Sequence, residues 1–189
     1  MKVKVGVSNR HIHLTQEDLS ILFGGGYELT VRNTLTQPGE FACNESVTIK
    51  TPKRELTNVR IIGPVRKYTQ VEISKTDSYS LGLNPPVRSS GDLENSENVT
   101  IIGPKGELEK KSVCIIANRH IHITPALRKE KGLENTSEVS VKIEGDKSGI
   151  IDHVHLKESD SYAFELHLDT DDANAFMLKS GDEVEILWK

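Results

Sequence analysis

Short apolar segments rich in Val and Ile alternate with polar residues along most of this chain. Such alternation over about four to eight residues is typical of β-strands with one buried face. It predicts strands at 47–50, 59–62, 70–73, 99–102, 138–143, 163–168 and 183–187. Gly, Pro, Asn and Asp separate these segments and predict turns between them. The pattern therefore indicates a mainly β protein.

Helical patterns are few and short, at 15–23, 125–131 and 170–178. Thr15 is a suitable N-cap with Asp18 in the first turn, and Pro125 fits a first helical position. Asp171 and Asp172 suit the N-terminus of the last helix. The stretch 79–96 lacks strand periodicity and predicts a long loop. Many short strands with a few short helices favour small barrels.

The composition is that of an ordinary globular protein of 189 residues, with 35% hydrophobic and 28% charged residues. Its net charge of −4 gives no electrostatic basis for broad binding to nucleic acid or to an anionic membrane. No apolar run approaches the roughly 20 residues of a membrane-spanning helix. Cys43 and Cys114 form neither a CxxC motif nor a disulfide framework, which favours a reducing cytoplasm.

The pentapeptide Asn-Arg-His-Ile-His occurs twice, at 9–13 and 118–122. Because side chains alternate along a strand, His11 and His13 face the same way, as do His120 and His122. Two such imidazoles can chelate a metal such as zinc, which also needs a third protein ligand and an open position for chemistry. Each copy follows an apolar run and precedes an aliphatic residue and Thr. The repeat predicts two similar modules that bind two metals, or one metal held between halves.

Other candidate ligands give weaker signals. His153 and His155 form a third His-x-His pair, but for a single pair an exposed or hydrogen-bonded strand histidine is the simpler interpretation. His167 stands alone on an alternating strand, where a structural role is the simpler one. Glu72 is likewise expected to be a solvent-facing strand residue, because spacing alone does not mark it as a ligand.

Basic residues concentrate in one region of this acidic chain: Lys50, Lys53, Arg54, Arg60, Arg66 and Lys67. A solvated strand face explains Lys50 or Arg54 most simply. The alternative is an anion site, because the planar guanidinium of arginine matches phosphate with two parallel hydrogen bonds.

Longer motifs extend along the chain at 6–14, 27–30, 37–39, 63–64, 69–72, 80–83, 85–88, 90–93, 118–122, 165–167 and 171–175. Together they resemble the PduL-type phosphotransacylases, also called phosphate propanoyltransferases, over essentially the whole chain. The resemblance implies two small β-barrels, each capped by a short helix, with the active site between them. It assigns 10–117 to a central barrel, and 1–9 with 118–189 to a second one.

The resemblance also implies a zinc-dependent enzyme with two zinc ions. One ion would be held by His11, His13 and Glu72, and the other by His120, His122 and His167. These assignments replace the structural interpretations of Glu72 and His167. They give no metal to His153 and His155.

The implied reaction is the reversible transfer of a propanoyl or acetyl group between coenzyme A and inorganic phosphate, giving acyl phosphate. Arg66 matches the catalytic position that contacts phosphate. The positions that match coenzyme A contacts are Ser8, Asn9, Arg10, Lys53, Arg60 and Asn174. The residues in matching motifs with an expected supporting role are Gln37, Glu40, Gln70 and Ser90.

Two departures from the family pattern change the expectations. Lys157 stands where many relatives have arginine, so a two-pronged anion contact there becomes a point-charge contact. The sequence begins at the first strand, without the amphipathic extension that directs some relatives into bacterial microcompartments of propanediol utilization. The sequence therefore gives no support for encapsulation. Its net charge and its cysteines predict a bacterial cytoplasmic protein without nucleic acid or membrane partners. Association with a microcompartment and assembly into a homo-oligomer stay open.

Two other functions fit the same metal ligands. A dinuclear metal hydrolase would cleave an ester with water and without coenzyme A. A non-enzymatic binding module would use zinc only to stabilise small barrels. Structural zinc sites are closed by four protein ligands, whereas three-ligand sites leave a position for substrate.

Overall fold

The computed structural model of the protein describes residues 1–188. The first strands and helices are β1 (Lys2–Ser8), β2 (His11–His13), α1 (Gln16–Phe23), β3 (Val31–Thr34), β4 (Phe41–Lys50), β5 (Glu55–Gly63), β6 (Gln70–Glu72), α2 (Lys75–Leu81) and β7 (Val87–Arg88). They are followed by β8 (Glu97–Ile102), β9 (Glu107–Ala117), β10 (His120–Ile123), α3 (Pro125–Glu130), β11 (Glu138–Ile143), β12 (Gly149–Glu158), β13 (Glu165–Asp169), α4 (Thr170–Ala175) and β14 (Glu183–Leu187).

The chain forms two compact units. The terminal unit contains Met1–Asn9, Thr36–Pro38 and the chain from Asn118 onward, and the central unit contains Arg10–Leu35 and Gly39–Ala117. In the terminal unit the strands close into a barrel of order β1-β13-β10-β12-β11-β14. In the central unit the order β4-β5-β2-β6-β9 is closed by β8, which pairs with both β9 and β4. The prediction of a mainly β fold with small barrels and short helices is confirmed.

The two barrels repeat the same strand pairings. In the central barrel β2 lies between parallel β5 and antiparallel β6. In the terminal barrel β10 lies between parallel β12 and antiparallel β13. Each barrel continues from the antiparallel neighbour to a parallel strand, β9 beside β6 and β1 beside β13. The strand that precedes each pentapeptide in sequence is therefore assigned to the barrel that holds the other copy.

Each barrel has its own apolar core, and the pentapeptides contribute to it. Ile12 and Ile121, the isoleucines between the paired histidines, are fully buried. Because neighbouring residues of a strand point to opposite faces, the core positions of Ile12 and Ile121 turn the histidines away from the core. Thr15 and Thr124 follow as N-caps of α1 and α3, each accepting from a backbone N–H three residues on. The predicted helix starts are confirmed.

Several elements differ from the sequence predictions. Strand β4 begins at Phe41 rather than at residue 47, and the short strand β7 lies inside the stretch 79–96 that is predicted as a loop. Strand β3 has all four residues exposed and so carries no alternating burial that a pattern could detect. Helix α2 lacks an apolar stripe, and its N-cap Ser74 accepts from the backbone N–H of Asp77. The last helix ends at Ala175. Within residues 1–188, none of the helices has the length and apolarity needed to cross a membrane.

Candidate functional site

In the described part of the chain, the pentapeptide histidines form two groups of candidate metal ligands. Within each group one donor atom per residue lies within 4.8 Å of the others. The first group belongs to the central barrel and consists of His11, His13 and Glu72. Antiparallel pairing of β2 with β6 places Glu72 opposite His11, with 3.5 Å between His11 Nε2 and Glu72 Oε2. Sheet pairing, rather than sequence spacing, therefore supplies the third candidate ligand of the group, here named the third ligand.

The second group belongs to the terminal barrel and consists of His120, His122 and His167. Antiparallel pairing of β10 with β13 places His167 opposite His120. The His167 ring centroid lies 5.1 Å from that of His120 and 4.5 Å from that of His122. His167 therefore occupies, in the terminal barrel, the register position that Glu72 occupies in the central barrel.

Hydrogen bonds orient two of the imidazoles toward their groups. Nδ1 of His13 lies 3.1 Å from the carbonyl oxygen of Ile62, and Nδ1 of His120 lies 2.7 Å from that of Asn118. A carbonyl can only accept, so each Nδ1 carries the proton and Nε2 is left as the ligating nitrogen. Such outer partners are typical of metal-binding histidines.

Both groups fit a divalent metal of the zinc type. Two histidines with a glutamate, or three histidines, are the donor sets of catalytic zinc sites, which keep a further position for water or substrate. A metal in such a site acts as a Lewis acid on a bound oxygen or sulfur atom. The donor chemistry of both groups is therefore compatible with a site at which a bound metal keeps a position for water or substrate.

The third ligand of the central barrel is supported by an amide. Gln70, two residues before Glu72, donates to its carboxylate at 2.5 Å and to Ser90 Oγ at 2.8 Å. The backbone N–H of Gly91 in turn donates to Gln70 Oε1 at 2.8 Å. The loop 89–91 therefore holds the amide of Gln70, and this amide in turn holds the carboxylate of Glu72.

The third ligand of the terminal barrel is supported by a carboxylate. Oε2 of Glu165 lies 2.8 Å from Nε2 of His167, and the amide of Gln37 donates to the same oxygen at 3.4 Å. Burial acts to raise the pKa of Glu165, but the hydrogen bond and the charge of His167 outweigh it and hold this pKa below its ordinary value. Glu165 is therefore ionised at neutral pH.

Arg66 lies in the loop between β5 and β6 and joins the network around Gln70. Its Nη2 donates to Glu40 at 2.6 Å, its Nη1 donates to Ser90 Oγ at 3.4 Å, and its backbone N–H donates to Leu14. Glu40, Gln70 and Ser90, which the resemblance marks as supporting residues, thus contact Arg66 or the third ligand. The other supporting candidate, Gln37, belongs to the terminal unit.

The residues matched to coenzyme A contacts fall in both units. In the central unit Arg10 donates to Asp77 at 2.6 Å, Lys53 to the carbonyl of Tyr79 at 2.9 Å, and Arg60 to the carbonyl of Asn44 at 2.8 Å. Arg60 also lies beside His11 in the register of β2 and β5. The terminal unit holds the remaining three, which are Ser8 at the end of β1, Asn9, and the exposed Asn174 on α4.

The arginine of each pentapeptide makes an ion pair that was not predicted from the sequence. Arg10 pairs with Asp77, and Arg119 binds both carboxylate oxygens of Asp172 at 2.8 and 2.9 Å. Each aspartate lies three residues past the N-cap of the helix that follows the third ligand. The one feature of the sequence that indicates these ion pairs is an aspartate five residues after each third ligand (77 − 72 and 172 − 167).

His153 and His155 lie outside both ligand groups. Their Nδ1 atoms face the two carboxylate oxygens of Glu138, at 2.9 and 3.3 Å. The side chain of His153 is 83% exposed. The third His-x-His pair thus forms a surface contact with Glu138.

An aromatic ring lies beside the terminal group. Tyr162 stacks on His122 with 4.0 Å between ring centroids, and Lys157 Nζ lies 6.0 Å from the Tyr162 ring. Lys157, expected from the resemblance to affect an anion contact, therefore stands over an aromatic face as a compact cation.

Comparisons with known proteins agree on one family. The family model of phosphate propanoyltransferases matches residues 4–179. A phosphate propanoyltransferase of Thermotoga maritima is 53% identical over 184 residues, covering 97% of this chain and 88% of the relative. Enzymes of the same name from Priestia megaterium and Rhodopseudomonas palustris are 48% and 45% identical, covering 95% and 100% of this chain and 83% of each relative.

Proposed function

This chain belongs to the phosphate propanoyltransferase family, and we propose that it transfers a propanoyl or acetyl group reversibly between coenzyme A and inorganic phosphate. The observation that carries the proposal is a pair of three-ligand groups at equivalent positions, one of which shares a hydrogen-bond network with Arg66. Such groups suit chemistry on a bound substrate.

We propose one zinc ion at each group, on His11, His13 and Glu72 and on His120, His122 and His167. When bound, zinc supplies a Lewis acid that polarises the acyl carbonyl and stabilises the coenzyme A thiolate. The protein side chains hold the ions, orient the substrates and need not form a covalent acyl intermediate.

Arg66 is the proposed phosphate-binding and catalytic residue. Its guanidinium can offer two parallel N–H donors to phosphate and offset negative charge that develops on the reacting oxygens. Glu40 and Ser90 hold the guanidinium in place. This prior orientation reduces the entropy that is lost when phosphate binds.

Coenzyme A is proposed to bind through Ser8, Asn9, Arg10, Lys53, Arg60 and Asn174. The three basic members suit its phosphates. Arg10 and Lys53 both contact α2, through Asp77 and Tyr79, so one helix supports both cations. A bacterial cytoplasmic location is proposed because Cys43 and Cys114 are both free thiols.

The deciding assay follows the release of free thiol from propanoyl- or acetyl-coenzyme A. We expect release to require phosphate, to stop with a strong chelator and to return with zinc. Burial raises the pKa of Cys43 to about 11 and that of Cys114 to about 12, so the folded protein adds little thiol background.

Three outcomes separate the alternatives. Cleavage of an acyl or phosphate ester by water, without any dependence on coenzyme A or its thioester, would indicate a dinuclear metal hydrolase. No release from metal-replete protein with either substrate would contradict the proposal. A crystal structure of the zinc-loaded protein with four protein ligands at each ion would favour a binding module, whereas three ligands and an open position support catalysis.

A further inference from the structure

The residue two positions before each third ligand differs between the barrels. Gln70 lies opposite His13, and Glu165 lies opposite His122, at the same register position. Gln70 donates to the carboxylate of Glu72, whereas Glu165 accepts from the imidazole of His167. The supporting residue is thus a donor where the third ligand is a carboxylate, and an acceptor where the third ligand is an imidazole.

The backbone beside Glu165 makes room for its carboxylate. Gly6 of β1 lies beside His167 in the register, and a Cβ atom built on Gly6 would stand 2.9 Å from the carboxyl carbon of Glu165. The corresponding residue of the central barrel is Ile115, which lies beside Glu72 and is fully buried. Glycine therefore occupies this position in the barrel where the supporting residue is the carboxylate.

Gln37 holds Glu165 from the other side. Gln37 is 3% exposed. Its Oε1 accepts from the backbone N–H of Ala163 at 3.2 Å, and its Nε2 donates to the carbonyl of Ala163 at 3.1 Å. The same Nε2 donates to Glu165 at 3.4 Å and lies 3.5 Å from Nε2 of His167. Gln37, Glu165 and His167 thus form one polar chain, of which Gln37 and Glu165 are buried and His167 is partly buried.

We infer that Glu165 is a positioning residue for His167, and that Gly6 and Gln37 hold its carboxylate in place. Because Glu165 accepts from Nε2–H, Nδ1 of His167 is left as the nitrogen that binds a metal. Gln70 performs the matching task for Glu72 with opposite hydrogen-bond direction. This inference rests on the proposed metal sites and goes beyond them by assigning each third ligand its own partner.

The test measures zinc affinity at the terminal site alone. In a Glu72→Ala background, which removes the central site, zinc is titrated in competition with a chromophoric chelator. We expect Glu165→Gln to weaken zinc binding by about 10- to 100-fold, as for other outer partners of ligating histidines. Glu185→Gln removes the same charge from an exposed position of the same barrel and is expected to leave zinc binding unchanged.

A purely structural role for Glu165 predicts a different set of results. It would lower the melting temperature of the metal-free protein and leave zinc affinity at the correctly folded site unchanged. We expect the reverse for Glu165→Gln, and in a His122→Ala background we expect zinc affinity of the central site to stay at its starting value. Loss of affinity at both sites alike would overturn the inference.

Gly6→Ala keeps the test decisive if Glu165→Gln does not fold. The added methyl group displaces the Glu165 carboxylate without changing any charge, and it should also weaken terminal zinc binding. Unchanged affinity in every folded variant of Glu165 and Gly6 would overturn the inference. Wild-type protein that binds zinc at both sites but releases no thiol would instead contradict the proposed function and leave the affinity result standing.

Discussion

The central and terminal barrels use one arrangement of strands to build two chemically different ligand groups. In both, the pentapeptide strand lies between a parallel and an antiparallel neighbour, and the antiparallel neighbour carries the third ligand. That ligand is Glu72 in one barrel and His167 in the other. The carboxylate Glu72 is supported by the amide of Gln70, whereas the imidazole of His167 is supported by the carboxylate of Glu165. Each set of four positions therefore contains one carboxylate, as ligand in one barrel and as partner in the other.

A second difference lies in the loop before the third-ligand strand. Six residues connect β5 to β6 and β12 to β13 (70 − 63 − 1 and 165 − 158 − 1). Arg66 stands three residues after the end of β5, and Ser161 stands at the matching point after β12. The equal loops differ in their side chains, so this position carries a guanidinium in the central barrel and a hydroxyl in the terminal barrel. Strand pairing is thus shared by the two barrels, and a few side chains make their chemistry different.

Removing either third ligand should have the largest effect. We expect Glu72→Ala and His167→Ala each to lose one equivalent of zinc and to lower turnover by more than roughly 100-fold, because two donors bind a metal poorly. Elemental analysis and the thiol-release assay measure both quantities. Full zinc content in either variant would contradict its assignment as a ligand.

Exchanging ligands between the barrels tests whether each third ligand depends on its own supporting residue. Glu72→His alone places an imidazole beside the amide of Gln70, whereas adding Gln70→Glu restores the pairing seen in the terminal barrel. We expect the double variant to bind more zinc than the single variant does. Equal binding by the two would show that the supporting residues do not depend on the ligand.

Arg66→Ala should lower kcat by about 10²- to 10³-fold, the size typical of losing one preorganised stabilising donor. Zinc content and melting temperature should stay near those of the wild type. Ser161→Ala is the matched change in the terminal barrel and should leave turnover near the wild-type value. If the amount of folded Arg66→Ala protein falls as much as its activity does, Arg66 has a structural role instead.

The arginine–aspartate pairs should have a smaller effect, and mainly on stability. Arg119→Ala should lower the free energy of unfolding by about 2 kcal/mol, because it leaves the half-buried Asp172 without its charged donor. A double-mutant cycle with Asp172→Ala measures the coupling. Arg10→Ala should in addition raise KM for coenzyme A, and an unchanged KM would remove Arg10 from the proposed binding residues.

The smallest effect concerns acid stability. Burial acts to raise the pKa of Glu45, but hydrogen bonds from Thr30 and Tyr27 outweigh it and lower this pKa below the ordinary 4.5. Glu45 therefore stabilises the fold above about pH 4.5, and this contribution is lost as pH falls through its lowered pKa. We expect Glu45→Gln to cost about 1 kcal/mol at pH 7 and to flatten the acid side of the stability profile.

Glu138 in the terminal barrel provides the contrast for Glu45. A hydrogen bond from His153 lowers its pKa as well, but the pair lies at the surface, where water and salt screen it. Glu138→Gln should change the pH profile of the melting temperature less than Glu45→Gln does. A larger change would show that the surface pair matters more than its exposure indicates.

Whether an element could be predicted from the sequence depended on whether it carries a pattern of buried and exposed residues. Strands β11 and β14 were predicted residue for residue, because one face of each is buried and alternation records that burial. Strand β3 and helix α2 were missed because neither carries such a pattern. In β3 every residue is exposed, and α2 is held by its N-cap and by the ion pair of Asp77.

By itself the sequence determined the duplicated histidine pairs, the faces on which they lie and the mainly β fold, since all three follow from local spacing and alternation. Only the tertiary structure decided which residues complete each group. Glu72 and His167 lie 59 and 45 residues from the nearest histidine of their pairs (72 − 13 and 167 − 122), and strand register brings them together. Hydrogen-bonded pairing between distant segments sets that register, and no local pattern encodes it.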